Sequence, residues 1–152
     1  MNWFHRRYCA SEKWNGLVRT RLLPDALREV ELGDRVLELG AGPGLVTAAL
    51  ATRTSELTAV EIDPALARTA RRAVARYPHA TVVEADATRL PFPDHEFSAV
   101  VCMTMLHHLP DPAAQNRLFA EAARVLRPGG VFCGSDNRGV GLRFQLIHLG
   151  DT

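Results

Sequence analysis

The sequence has few of the features that mark extracellular, membrane-spanning or nucleic-acid-binding proteins. Its three cysteines, Cys9, Cys102 and Cys133, are an odd number without CxxC spacing, which predicts neither a disulfide framework nor a metal site. The 18 Lys and Arg almost balance the 17 Asp and Glu, so a net charge of +1 supplies no broad field for nucleic acid or an anionic membrane. No apolar run approaches the roughly 18 residues of a membrane span, and no apolar segment follows the charged amino terminus. We therefore expect a cytoplasmic protein of a single domain, with no nucleic acid or membrane as partner.

Short apolar runs alternate with helical patterns, and Pro and Gly residues separate them. The predicted strands are 35–39, 57–62, 81–84, 97–103 and 131–135. The predicted helices are 12–23, 24–30, 45–52, 64–76 and one that begins at Pro112. Repeated strand–helix–strand units of this length imply right-handed crossovers and a parallel sheet covered on both faces. The fold class is therefore predicted to be doubly wound α/β.

The last segment, Val140 to Leu149, fits two patterns. Its apolar residues alternate as in a strand at Val140, Leu142, Phe144 and Leu146, whereas Leu142, Leu146 and Leu149 also fit one face of a helix. We favour a helix that ends at Gly150.

Three glycines follow the first predicted strand, at the edge where an open parallel sheet binds its ligands. Gly40, Gly42 and Gly44 have the spacing G-x-G-x-G, whereas the dinucleotide fingerprint G-x-G-x-x-G requires its third glycine where Leu45 stands. The spacing therefore disfavours a cradle for a dinucleotide pyrophosphate. A purely structural glycine turn is the alternative.

Carboxylates follow the next two predicted strands. Glu61 lies 21 residues after Gly40 (61 minus 40), where an acidic side chain can bind both hydroxyls of a ribose. Asp63 directly precedes Pro64, which favours the role of a helix N-cap. Asp86 can accept a hydrogen bond from an adenine amino group, or can be a turn residue.

These positions belong to a series of motifs that runs from Val36 to Gly130 and resembles the class I S-adenosylmethionine-dependent methyltransferases, particularly the small-molecule, methyltransferase type 11-like group. The matching segments are Val36 to Gly44 (VLELGAGPG), Val60 to Pro64 (VEIDP), Ala85 to Ala87 with Leu90 to Phe92, Phe97 to Val101, Leu106 to Leu109 (LHHL) and Val125 to Gly130 (VLRPGG). The combination of motifs, in this order and spacing, carries the resemblance.

The resemblance implies a Rossmann-like sheet of strand order 3-2-1-4-5, with S-adenosyl-L-methionine bound by residues 35–136 and residues 1–34 forming a helical cap. It further implies that Gly40, Ala41, Gly42 and Gly44 line the methionine moiety, that Glu38 supports its amino group, and that Glu61 binds the ribose. Ile62 is expected as a further cofactor contact; Asp86 and Ala87 are expected to face adenine, and Met103 and Thr104 to close the site.

The implied reaction is an in-line displacement in which an acceptor nucleophile attacks the activated methyl carbon, so alignment is the main contribution of the protein. A hydroxyl or amine acceptor also benefits from a base, for which His107 and His108 are candidates. Adjacent residues of a helical turn point about 100° apart, so at most one should face the ligand. Hydrogen-bonded histidines that only close the turn are the alternative. The aromatic residues Trp3, Phe4, His5, Tyr8 and Trp14 could cover the site or pack on the core.

The resemblance usually extends past the fifth strand through another helix and two antiparallel strands, which need about 35 residues at average lengths. Residues 137–152 are too few for both strands, so we expect a shortened tail and an apolar edge at strand five that self-associates unless the tail or another chain covers it.

Three functions remain open. They are an active methyltransferase with an unidentified, small-molecule acceptor, a shortened and catalytically inactive cofactor-binding module, and an NAD-dependent oxidoreductase.

Overall fold

A computed structural model describes residues 12–136 and 142–146, and this part of the chain is built around a six-stranded sheet. The strands are β1 (Arg35–Leu39), β2 (Glu56–Glu61), β3 (Ala80–Glu84), β4 (Phe97–Met103), β5 (Leu126–Asp136) and β6 (Leu142–Leu146). Their order is β3-β2-β1-β4-β5-β6, and the first five strands are parallel. The predicted doubly wound α/β class and the 3-2-1-4-5 order are confirmed.

The central strand β1 is buried on both faces because helices cover both sides of the sheet. Leu37 packs in one hydrophobic cluster, with Val100 and Phe132, and its neighbour Val36 packs in a second cluster, with Ala99. All five of these side chains have no exposed surface. A strand covered on both faces favours a mostly apolar run, and the predicted bounds of β1 and β4 agree with the structure.

The helices are α1 (Glu12–Leu17), α2 (Leu23–Ala26), α3 (Leu45–Leu50), α4 (Pro64–Ala73) and α5 (Pro112–Val125). A five-residue π-helical turn, Val18–Leu22, joins α1 to α2, so the two predicted amino-terminal helices form one helical run. Asp63 caps α4 as predicted, because its Oδ1 accepts hydrogen bonds from the N–H groups of Ala65 at 2.8 Å and Leu66 at 3.2 Å.

The predicted helix at 140–149 is wrong, because residues 142–146 form the antiparallel strand β6. β6 pairs with β5 in a register that places Leu146 opposite Phe132 and Leu142 opposite Asp136. The outer edge of β5 carries backbone N–H and C=O groups that need partners, and an extended tail supplies them where a helix cannot. The exposed β5 edge that motivated the expected self-association is therefore covered.

Strand β5 is also longer than predicted, since it begins at Leu126, directly after α5, and includes the Pro128 to Gly130 turn sequence. Leu126 pairs with Phe97 ahead of a register irregularity that ends at Ala99. The predicted roles of Trp3, Phe4, His5, Tyr8 and the Trp14 side chain lie outside the described residues. Within the described part of the chain, no helix has both the length and the apolar character needed to cross a bilayer.

Candidate active site

A cavity of about 400 Å³ opens at the carboxyl ends of the parallel strands. It lies where β1 has β2 on one side and β4 on the other, the position at which open α/β sheets bind ligands. The lining residues are Val18, Gly40, Ala41, Gly42, Pro43, Leu45, Val46, Glu61, Ile62, Asp63, Leu66, Ala85, Asp86, Ala87, Met103, Thr104, Met105, His108 and Leu109.

The three glycines of the loop after β1 have different surroundings. All three have positive φ angles, of 78° at Gly40, 54° at Gly42 and 89° at Gly44. A Cβ at Gly42 would meet nothing within 4 Å, because this glycine faces the open cavity. A Cβ at Gly44 would lie 2.7 Å from the Cα of Ala70 in α4. Gly42 therefore leaves room for a ligand, whereas Gly44 lets α4 pack closely against the loop.

The Glu61 carboxylate joins the glycine loop to the start of α4. Its Oε2 accepts a hydrogen bond from the Gly42 N–H at 2.8 Å, and its Oε1 accepts one from the Asp63 N–H at 2.9 Å. The residue is 8% exposed and lines the cavity. Because each carboxylate oxygen can accept two hydrogen bonds, Glu61 retains capacity for hydroxyl donors from a ligand.

Glu38 lies in the middle of the sheet and is 1% exposed. Its Oε2 is buried without a hydrogen-bond partner in the described part of the chain, as is the Thr47 hydroxyl. Burial raises the pKa of Glu38 to about 8; the nearby Thr47 hydroxyl partly opposes this change, and the Glu61 carboxylate adds to it. A buried carboxyl oxygen without a hydrogen bond is costly, and a cationic group that reaches it would relieve that cost.

Asp86 and Ile62 line the cavity together with Glu61. The Oδ1 of Asp86 accepts hydrogen bonds from the N–H and the hydroxyl of Thr88, both at 2.8 Å, which is the turn role that the sequence left open. Ile62 is 65% exposed, although it is a large apolar residue. The cavity lining thus combines the exposed aliphatic side chain of Ile62 with the Asp86 carboxylate, which suits a flat ring that carries polar groups.

The histidines follow β4 on a single 3₁₀ turn, Leu106–His108. His108 lines the cavity, whereas His107 does not. The ring of His107 is hydrogen-bonded through Nδ1 to Oδ1 of Asp136 at 2.6 Å, and its N–H donates to Oδ2 at 3.2 Å. The turn thus directs one imidazole to the cavity and the other to the end of β5.

The charged side chains that line the cavity, among the described residues, are the carboxylates of Glu61, Asp63 and Asp86, with no Lys or Arg. No group of three or more His, Cys, Asp or Glu residues in the described ranges could hold a metal ion. The described lining therefore offers a mainly apolar surface with three acidic side chains, which favours a ligand that carries positive charge.

Comparison with known proteins identifies the family. Residues 37–134 match the family described as "Methyltransferase domain". The chain belongs to this methyltransferase family. The matched residues run from β1 to β5, so the family match includes at least part of each parallel strand and every lining residue of the cavity except Val18.

Individual relatives of this methyltransferase domain include two enzymes named for quinone biosynthesis. It is 37% identical over 103 residues to the demethylmenaquinone methyltransferase of Clavibacter sepedonicus, covering 66% of this chain and 41% of the relative. It is 36% identical over 112 residues to the ubiquinone biosynthesis O-methyltransferase of Xylella fastidiosa (strain 9a5c), and this match covers 70% of this chain and 43% of the relative. Among solved structures, the PH0226 protein from Pyrococcus horikoshii OT3 matches with a TM-score of 0.78 and 25% identity, over 90% of this chain and 62% of that one. The chain thus spans less than half the length of these two curated relatives.

The structure brings most of the predicted site residues of the methyltransferase domain to one cavity. Those that line it are Gly40, Ala41, Gly42, Glu61, Ile62, Asp86, Ala87, Met103, Thr104 and His108. Three predicted residues lie elsewhere: Glu38 is buried in the sheet, Gly44 packs on α4, and His107 contacts Asp136.

The sequence reasoning also missed several lining residues. Leu45, Val46 and Leu66 follow or flank predicted ligand positions and could have been found by extending each motif by one helical turn. Met105 lies between two predicted positions, and a Cβ at Gly40 would come within 2.5 Å of its Cγ. Val18 comes from the π-helical turn near the amino terminus, and no local signal in the sequence connects it with the cavity.

Proposed function

We propose that this domain binds S-adenosyl-L-methionine in the cavity and transfers its methyl group to a small-molecule acceptor. The observation that carries the proposal is the arrangement of Glu61 and Gly42. The Glu61 carboxylate lines the cavity and accepts a hydrogen bond from the Gly42 N–H, and the space that a Cβ at Gly42 would enter is open. The family match supports methyl transfer as the reaction class.

The residues of the cavity fit the proposed cofactor. The loop from Gly40 to Gly42 would lie against the methionine moiety, since side chains are absent at these two glycines. Glu61, which lines the cavity, would accept hydrogen bonds from the ribose hydroxyls. Glu38, buried in β1 with its Oε2 unpartnered among the described residues, would compensate the positive charge of an amino group that reaches it. Ile62 and Asp86, with Ala87 beside them, would contact the two sides of the adenine, and Met103 and Thr104 would close the site next to β4.

The bound cofactor supplies an activated methyl carbon, so the chain needs no nucleophile of its own. Its task is to hold the acceptor in line with that carbon and to exclude water. Correct alignment can contribute about 7–11 kcal/mol to lowering a bimolecular barrier. The apolar lining beside β4, formed by Met103, Met105 and Leu109, suits the apolar part of such an acceptor.

A catalytically inactive cofactor-binding module is the second candidate function. The observation in its favour is that the matches cover 41% and 43% of the two curated relatives, so the similarity supports a cofactor-binding domain more directly than the full activity of those proteins. An NAD-dependent oxidoreductase is disfavoured, because Leu45 lines the cavity at the position of the third fingerprint glycine.

Isothermal titration calorimetry with S-adenosylmethionine, S-adenosylhomocysteine and NAD tests the proposal. We expect the first two to bind and NAD not to bind. Removal of the Glu61 carboxylate should weaken binding by at least about tenfold, because hydrogen bonds to charged groups contribute roughly 1.5–3 kcal/mol each.

The Glu61→Gln variant is preferred over Glu61→Ala, since the amide keeps an acceptor oxygen for the Gly42 or Asp63 N–H group and thereby maintains the loop. Glu56→Gln, an exposed change at the opposite end of the same strand, is the matched control and should bind like the wild type. An unchanged dissociation constant in folded Glu61→Gln and Glu61→Ala proteins would contradict the assignment of Glu61 to the ribose. Binding of NAD in preference to S-adenosylmethionine would overturn the proposed function itself.

A further inference from the structure

The 3₁₀ turn after β4 is fixed from two neighbouring elements. From β5, the two oxygens of Asp136 accept hydrogen bonds from the ring Nδ1 and the backbone N–H of His107. From α5, the Gln115 side-chain amide donates to the Leu106 carbonyl at 3.2 Å. The Met105 carbonyl closes the turn by accepting from the His108 N–H at 3.0 Å. A segment of three residues is thus held at three successive positions.

The carboxylate of Asp136 favours one tautomer of the His107 ring. A carboxylate that carries no proton only accepts hydrogen bonds, so this hydrogen bond requires a proton on Nδ1. Asp136 is 8% exposed, and its Oδ1 lies 2.6 Å from Nδ1 of His107, within hydrogen-bond distance. Rotation of the His107 ring would break the hydrogen bond between its Nδ1 and Oδ1 of Asp136, which disfavours that rotation.

The position of His107 in turn limits where His108 can lie. The two ring centroids are 4.0 Å apart, with 45° between the ring planes. Because His107 occupies the side next to β5, the imidazole of His108 is directed to the cavity, which it lines with Met105 and Leu109. His108 is the one imidazole among the described lining residues, and the carboxylates there lie on β2, on the segments after β2 and β3, and at the proposed cofactor side.

We propose that Asp136 is a positioning residue for deprotonation of the methyl acceptor: it clamps His107, and this holds His108 where its imidazole takes the proton of a hydroxyl or amine group. The acceptor O–H or N–H bond breaks, its proton passes to an imidazole nitrogen of His108, and the electron pair stays on the acceptor atom. That atom would form the new bond to the methyl carbon as the bond from this carbon to the cofactor sulfur breaks and its electron pair goes to the sulfur. This inference rests on the proposed function, and it assigns the acceptor to the class of nucleophiles that lose a proton.

The test uses 4-nitrophenol as a probe, because its deprotonated form has a visible absorption band that the protonated form lacks. The full chain is saturated with S-adenosylhomocysteine, so no methyl group is available, and nitrophenol is added at a pH at which the free compound is mostly protonated. Nitrophenolate formed on binding is read from the absorbance, and the S-adenosylhomocysteine dissociation constant is measured on the same samples.

We expect the wild-type complex to bind nitrophenol and to ionise it, and His108→Phe to abolish the ionisation. Asp136→Asn keeps the shape of the side chain but can satisfy only one of the two His107 donors as an acceptor, so the ionised fraction should fall about three- to tenfold, the effect of losing one hydrogen bond. Asp34→Asn removes the same charge at the other end of the sheet and should behave like the wild type.

The inference would be overturned if His108→Phe or Asp136→Asn bound S-adenosylhomocysteine and ionised nitrophenol to the same extent as the wild type. Failure of nitrophenol to bind the wild-type complex would also overturn it, whereas loss of S-adenosylhomocysteine binding in the wild type would instead contradict the proposed function. Should Asp136→Asn fail to fold, nitrogen-15 NMR of the wild type decides the matter. A His107 ring protonated on Nδ1 supports the clamp, and one protonated only on Nε2 refutes it.

Discussion

Replacing Glu38 by Gln should remove a large part of the pH dependence of stability of the ligand-free protein. The pKa of this carboxyl is raised from 4.5 to about 8, mainly by burial. Between these two values the folded state keeps the proton while the unfolded state releases it. Stability is therefore fully present below about pH 4.5 and is lost as the pH rises towards about 8.

The size of this effect follows from the difference of about 3.5 pH units (8 minus 4.5). Each unit corresponds to about 1.4 kcal/mol, so the full loss is at most about 5 kcal/mol. Glu38 is 1% exposed, so solvent screens the buried charge little. Because the unfolding free energy of a domain is typically about 5–15 kcal/mol, a fraction of this loss is readily measured.

Urea unfolding followed by circular dichroism, at several values from pH 5 to pH 8, gives the required free energies. The lowered pKa values of Asp34 and Glu121 act below this range, and the pKa of Cys133, raised to about 12, acts above it. We expect the unfolding free energy of the wild type to fall across this range and that of Glu38→Gln to change much less. The exposed control Glu56→Gln should follow the wild type. Parallel curves for the wild type and Glu38→Gln would refute the raised pKa of Glu38.

Gly42→Val should abolish S-adenosylhomocysteine binding in calorimetry while the chain still folds, whereas Gly44→Val should lower the melting temperature, because its side chain meets Ala70 in α4; a folded Gly42→Val protein that binds normally would show that this glycine forms only a turn. Asp86→Ala should weaken S-adenosylhomocysteine binding less than the Glu61 variants do, and an inosine analogue, which lacks the exocyclic amine, should bind more weakly than the adenosine compound; equal binding of the two would argue against an adenine contact at Asp86. A chain that stops at residue 140 exposes the edge of β5 and should self-associate in light-scattering measurements, while a monodisperse monomer would show that β6 does not protect this edge.

The sequence located the parallel strands well, because buried apolar runs that end in glycine or acidic residues have few other interpretations. It gave β1 as 35–39 and β4 as 97–103, and the structure has the same bounds. The tail was misassigned because its apolar residues fit both periods, and the choice depends on a partner strand, β5, that lies outside the local pattern. The secondary-structure propensities of the tail residues do not indicate whether a partner strand lies beside them.

At the site, too, the sequence predicted which residues belong together better than it predicted contacts between elements that are distant in the chain. Glu61 and Gly42 were predicted to act at one site, and the structure adds that they are directly hydrogen-bonded. Asp136 was missed because it is 29 residues from His107 in the chain, and only the alignment of β4 beside β5 brings the two together. Contacts of this kind depend on strand register, which a pattern read along one segment does not contain.

The hydrogen bonds of Glu61 to Gly42 and Asp63 have a consequence for the kinetics of ligand binding. The loop after β1 is held at the end of β2 by groups of the protein itself, so little conformational entropy is expected to be lost on association. Such preorganisation favours fast capture of a ligand by a ready-made surface, with differences among related proteins expressed mainly in the rate of release. A relative with a shorter side chain at this position would have a looser loop, and each encounter with the ligand would first have to order it.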